Sequence, residues 1–208
     1  MLVRRLLIGS AVLAGTVTLA ACGSGDGGTK PTSPASAPAT TSATAPAPVP
    51  VTGGAPWPAP TDASARAKVA GLPMLGAEGQ VLHIHSHVDV LVNGRSLVVP
   101  ADIGIDLEQQ KISPLHTHDT TGIVHIESPV QADFTLGQFM TEWNVQLTKD
   151  RLGPLKTGGG KELHVYVNGK EQSGDPAAIK LTAHAEIAIV YGKPGTEVPS
   201  SYAFPAGV

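Results

Sequence analysis

The chain of 208 residues carries a single cysteine, Cys22. That excludes an intrachain disulfide and every metal site built on several thiolates. Charged residues make up only 15% and aromatic residues 4%, and Lys and Arg nowhere cluster. The basic face that a nucleic acid needs is therefore absent, and no nucleic-acid partner is expected. No G-x-S-x-G elbow occurs and no second thiol is present, which disfavours a nucleophilic hydrolase. The stretch "KTGGGKE" is a glycine turn without the spacing of a phosphate-binding loop.

The abundant residues are Gly (24) and Pro (18), and half of the prolines fall between residues 31 and 60. "MLVRRLLIGSAVLAGTVTLAAC" opens with Arg4 and Arg5, continues as an apolar run from Leu6 to Ala21 and reaches small residues before Cys22. This is the pattern of an export signal, and the run is short for a membrane-spanning helix. Residues 1–21 are thus expected to be a signal peptide. From Gly23 to Pro60 the chain is Pro, Ala, Thr, Ser and Gly with almost no large apolar side chain. Such a composition cannot bury enough surface to offset its ordering entropy, so residues 22–60 are expected to be a disordered tether, spanning roughly 30 to 40 Å.

The four residues "LAAC", Leu19 to Cys22, resemble a bacterial lipoprotein box. The resemblance implies cleavage before Cys22, lipidation of that cysteine and anchoring at the outer face of the cell membrane, the membrane being the partner through the acyl chains. It also accounts for a lone cysteine in an exported chain. The cut removes two of the 14 basic residues and leaves 12 against 17 acidic, so the formal charge moves from −3 to −5.

Residues 61–208 hold the globular part, with a subdivision conceivable near residue 128. "TDASARAKVAGLPML" predicts a short helix that Thr61 or Asp62 starts and Gly71 and Pro73 end. In Val81 to Val92 the odd positions carry His83, His85, His87 and Asp89, and the even ones are mostly aliphatic. Period-two alternation puts the histidines on one face of a strand. Asn93-Gly94 then predicts a two-residue hairpin. "PLHTHDTTGIVHIESP" reads as two short strands about a turn at Asp119 to Gly122. "DFTLGQFMTEWNVQL" predicts a helix with Leu136, Phe139, Met140 and Trp143 on its core face and Thr135 as cap. Two further strands, "KELHVYVNGKEQ" and "IKLTAHAEIAIVYG", complete an α+β domain, a mostly antiparallel or mixed sheet with one central helix. The element order from Ile123 onward resembles a β-grasp domain, although the C-terminal Gly-Gly of the sulfur carriers is missing.

Six of the eight histidines lie between positions 83 and 125. Histidines at i and i+2 on a strand have Cα atoms roughly 6.5 to 7 Å apart and point the same way, so two of them reach one ion at about 2 Å. His83 and His87 are about 13 Å apart on the same geometry, so the row is expected to give two ligands to one ion and leave the third elsewhere. His116 and His118 repeat the spacing, and His125 faces the same way as Glu127. These six histidines either complete one four-coordinate site or build two three-histidine sites. Asp89, Asp119 and Glu127 stand beside them as further ligands, as orienters of imidazole, as a general base or as plain solvated carboxylates. His164 and His184 are expected to be structural or exposed. With no free thiolate and only Met74 and Met140 beyond the leader, the donor set favours Zn(II) or Cu(II), with Ni(II) and Fe(II) as alternatives, over Cu(I), calcium or magnesium.

"HIHSHVDVLVNG", "LHTHDTTGIVHIESP", "FTLGQF" and "LTAHAEIAI" are similar to segments of an uncharacterised group of exported bacterial and archaeal proteins. The resemblance implies that the histidines belong to a shared design and brings no activity with it. A cupin pattern fits in part, through His83, His85 and His125, but its glutamate spacing is missing. Three functions therefore stand open: metal capture or buffering at the cell surface, a metal-dependent enzyme with a three-histidine open site, and a pH-responsive interaction lipoprotein.

Overall fold

The alternation of Val81 to Val92 places the aliphatic side chains of one long strand toward a helical layer and the histidines toward the opposite side. In the computed structural model, which describes residues 57–208, that strand is the centre of the molecule. The leader, Cys22 and the tether up to residue 56 lie outside the described residues. In chain order the elements are α1 (Ala63–Val69), β1 (Leu82–Val92), β2 (Arg95–Leu97), β3 (Ile105–Asp106), β4 (Lys111–Ile112), β5 (Leu115–His116), β6 (Ile123–Ser128), α2 (Leu136–Glu142), β7 (Leu147–Thr148), β8 (Arg151–Leu152), β9 (Leu155–Lys156), β10 (Glu162–Val167), β11 (Lys170–Glu171), a 3-10 turn at Pro176–Ala178, and β12 (Glu186–Gly192).

The main sheet runs β11-β10-β12-β1-β6-β5, with β2 hairpinned onto β1. Only β1 and β12 pair in parallel; the other pairings are antiparallel. The fold is therefore α+β with a mixed sheet, as expected. β1 pairs with both β6 and the last strand β12, so one sheet runs through residue 128. Short-range patterns could not disclose this, because the β1–β12 pairing joins His87 to Glu186 across 99 positions of sequence.

Val88 and Val90 of β1, Val124 and Ile126 of β6, and Ile187 and Ile189 of β12 meet Leu136, Phe139, Met140 and Trp143 in one core. All are buried, so burial of apolar surface on this face is what holds helix to sheet. Asn93 and Gly94 have φ of 52° and 79°, the mirror-image turn whose twist suits a two-residue hairpin. Trp57, expected in the tether, instead packs edge-on against Trp143 with ring centroids 5.9 Å apart, and its carbonyl accepts the indole N–H at 3.0 Å. The packed part therefore starts before residue 61. Among the described residues no helix is long and apolar enough to cross a membrane.

Thr135 starts α2 with a reciprocal cap. Its hydroxyl accepts the Gln138 backbone N–H at 3.3 Å, and the Gln138 side chain accepts the Thr135 N–H at 3.0 Å. Thr135→Ala is expected to cost about 1 kcal/mol, read as a lower urea midpoint at unchanged slope.

Gly104 positions the site more directly. Its φ is 72°, and a Cβ there would sit 2.1 Å from the Leu115 carbonyl oxygen, at the start of β5. Gly104→Ala must both strain the backbone and push β5 away, so a loss of about 2 to 4 kcal/mol is expected in chemical denaturation. An unchanged midpoint would show that the loop yields instead.

Candidate metal centre

The register of three strands assembles the histidines. His85 of β1 lies opposite His125 of β6, and His125 lies opposite His116 of β5. One row of three imidazoles thus crosses the sheet on the face away from α1 and α2. In the next row His83 lies opposite Glu127. His118 follows β5 and turns its ring edge-on to His125, with centroids 4.5 Å apart. Five histidines and one carboxylate therefore share one patch.

This face is not the wet side of a strand. His85 and His116 are 5% and 0% exposed and Glu127 is 2% exposed, while His83 and His118 keep open edges. Burial lowers the pKa of His116 to about 4, against the raising effect of its bond to Ser113; burial and the neighbouring His125 and His83 lower His85 to about 4. Both imidazoles are neutral at neutral pH, which is the form that ligates a metal.

Hydrogen bonds then fix which nitrogen of each ring is available. His116 donates Nδ1–H to the Ser113 carbonyl at 2.9 Å, so its Nε2 carries the lone pair. His118 Nε2 lies 3.2 Å from that atom. Two nitrogens on one tetrahedral ion at about 2.0 Å would be roughly 3.3 Å apart, so the separation suits a shared metal. His125 donates Nδ1–H to Glu127 Oε1 at 3.0 Å, leaving Nε2 to ligate. A carbonyl behind one imidazole and a carboxylate behind another is the usual support for metal-binding histidines. His116, His118 and His125 offer ligand atoms within 4.8 Å of one another.

Glu127 is surrounded by imidazoles. Its Oε1 is 3.4 Å from His83 Nε2 and 3.8 Å from His85 Nε2, and His83, His85 and Glu127 form a second group of ligand atoms within 4.8 Å. Its Oε2 is buried without a hydrogen-bond partner. Burial opposes the charge of this carboxyl, but the bond from His125 and the pull of His116 and His83 outweigh it and hold the pKa below the usual value. A buried carboxylate with one oxygen orphaned fits a site meant for a cation.

His87 stands apart from that patch. It donates Nε2–H to the Thr121 carbonyl at 2.8 Å and Nδ1–H to Glu186 Oε2 at 2.7 Å, and Asp89 Oδ2 lies 3.9 Å from Nδ1. Burial opposes protonation, but the bond and charge of Glu186 and the charge of Asp89 raise the His87 pKa overall. Burial pushes Asp89 up to about 6, against the lowering effect of His87. Both ring nitrogens being engaged, this group is an ion-paired network, and Tyr202 stacks on the His87 ring at 3.7 Å.

Asp119 is taken up by its own turn, where it accepts the Thr121 N–H at 2.8 Å, and it joins none of the ligand groups. His164 lies between Glu162 and Glu171, bonded to both, and His184 donates to the Val208 carbonyl at 3.0 Å. Two carboxylates escaped the sequence reading. Glu186 sits among apolar residues of the last strand, where a lone acid in "HAEIAI" was the available signal. Glu78, whose Oε1 is 3.4 Å from His118 Nε2, comes from a loop with no pattern to mark it. The chain matched no protein-family model, no curated protein and no solved structure.

Proposed function

We propose that this chain is a lipid-anchored, extracytoplasmic domain that binds a first-row transition metal, Zn(II) or Cu(II), through His116, His118 and His125. One observation carries the reading: three imidazoles converge, two of them with the outer nitrogen committed to Ser113 and Glu127, beside a buried carboxylate with an orphaned oxygen. An all-nitrogen donor set suits these borderline ions, Ni(II) and Fe(II) being the next in fit. Capture or buffering needs no more than this. The exposed edges of His118 and Glu78 leave a solvent-side position, which is where a catalytic metal would hold water.

The signal-like leader, the "LAAC" box and the Pro-rich tether support export and anchoring through Cys22. The test of the metal is elemental analysis of protein purified without a histidine tag. Bound zinc or copper in the parent, lowered in His118→Ala, is the expected result; a metal-free parent that stays metal-free after incubation with Zn(II) or Cu(II) overturns the reading. An exchangeable metal-bound water would turn it from buffering to catalysis. The anchor is tested by Cys22→Ala, which should release the protein from the membrane fraction.

A further inference from the structure

Five imidazoles and one carboxylate are more donors than a tetrahedral ion accepts. The site proposed above uses three of them and leaves His83, His85 and a free edge of Glu127. His83 and His85 are i and i+2 neighbours on β1 with ring centroids 5.1 Å apart, and both point Nε2 at the same oxygen, Glu127 Oε1. Neither separation, 3.4 Å or 3.8 Å, is a good hydrogen bond, so this oxygen is faced by two imidazole nitrogens it does not bond well. An ion between them would take all three.

We infer that the domain holds two transition-metal ions per chain, the second bound by His83, His85 and Glu127. The inference rests on the reading of the first site and deepens it. Glu127 Oε1 has two lone-pair directions: one accepts His125 Nδ1–H and orients a ligand of the first ion, and the other is directed to the second. The carboxylate therefore joins the two sites, and its buried negative charge, which has a single good hydrogen bond for two oxygens, is offset by the second ion. His83 is the flexible member, with a side chain 44% exposed, whereas His85 and Glu127 are fixed by burial. The second ion is thus the more open of the two, and the class of ion is the same, divalent and borderline, given two imidazoles and one carboxylate.

The experiment counts ions. The full chain, without a tag and solubilised in detergent, is stripped with chelator and titrated with Co(II), with bound Co(II) measured by equilibrium dialysis and by absorbance. Two equivalents are expected in the parent, and one each in His83→Ala and in His118→Ala, both of which alter half-exposed side chains and leave the core intact by circular dichroism. One equivalent in the parent overturns the second ion and leaves the first site standing. Two equivalents that persist in His83→Ala also overturn it, because they place the second ion elsewhere. No binding in the parent overturns both readings.

Discussion

Replacing His116 with alanine is expected to weaken Zn(II) or Co(II) binding at the three-histidine site by at least about 100-fold, more than loss of an outer-shell partner usually does. The reason is positional. His116 is completely buried at the pairing of β5 with β6, its Nδ1–H is held by Ser113, and its Nε2 is the atom that His118 approaches. The truncation also leaves the Ser113 carbonyl unpaired, at a cost of roughly 1 to 3 kcal/mol in stability. Competition against a chelating dye separates the two effects when His118→Ala is measured in parallel, since His118 is half-exposed and bears no structural hydrogen bond to the backbone. His164→Ala, remote and paired only with Glu162 and Glu171, should bind as the parent does. Equal affinities for parent and His116→Ala would remove this histidine from the site.

The second large effect lies on the other face. Glu142, at the end of α2, is 1% exposed and neither carboxyl oxygen has a hydrogen-bond partner. Burial pushes its pKa up to about 8 from the ordinary 4.5, and a pull from the Ser113 hydroxyl offsets only part of this. The folded protein therefore keeps a proton that the unfolded chain releases near pH 4.5. Below that pH the contribution to stability is fully present; above it each pH unit favours unfolding by about 1.4 kcal/mol, until the folded carboxyl also ionises near pH 8. Denaturation in chelator, so that no metal linkage enters, should show this downward contribution to stability from pH 5 to pH 8. It is set against the upward one that His85 and His116, lowered from 6.5 to about 4, make in both proteins. Glu142→Gln should remove the downward contribution and leave the protein more stable than the parent at pH 8. The same slope in both proteins would mean that the parent carboxyl is charged throughout.

Much of the sheet could be read from local pattern, because alternation and turn chemistry act over a few residues. β1, its Asn93-Gly94 hairpin, β6, the Thr135 cap and the core face of α2 all follow from side chains within ten positions of one another. The same alternation found the histidines and put them on one face. What it did not reach was register. Whether His125 meets His85 or His87 depends on how β1 and β6 align, and a slip of β6 by one residue would send His125 and Glu127 to the helix face. The separation of His87 from the other five follows from its pairing with Glu186, a residue contributed by the last strand. The two-residue ribbons β3–β4 and β7–β9 have no local signal, since so short a run carries no period. The burial of His87 has no local signal either, because the C-terminal segment that brings Tyr202 onto its ring has no periodic pattern.

The pairing of β1 with β12 also sets an order of events. Contacts this distant in sequence close slowly, since the intervening chain must give up its freedom before they form. As the chain emerges progressively during synthesis, β1, with three of the histidines, has only β2 and then β6 as pairing partners until Glu186–Gly192 arrives. The donors on β1 and β6 come together before the strand that locks β1 on its other edge. A nascent chain that meets metal ions would then offer them imidazoles while its central strand is still an open edge. The slow step of maturation is accordingly expected to be the docking of the C-terminal strand, and chains truncated before Glu186 should carry histidines without holding a finished site.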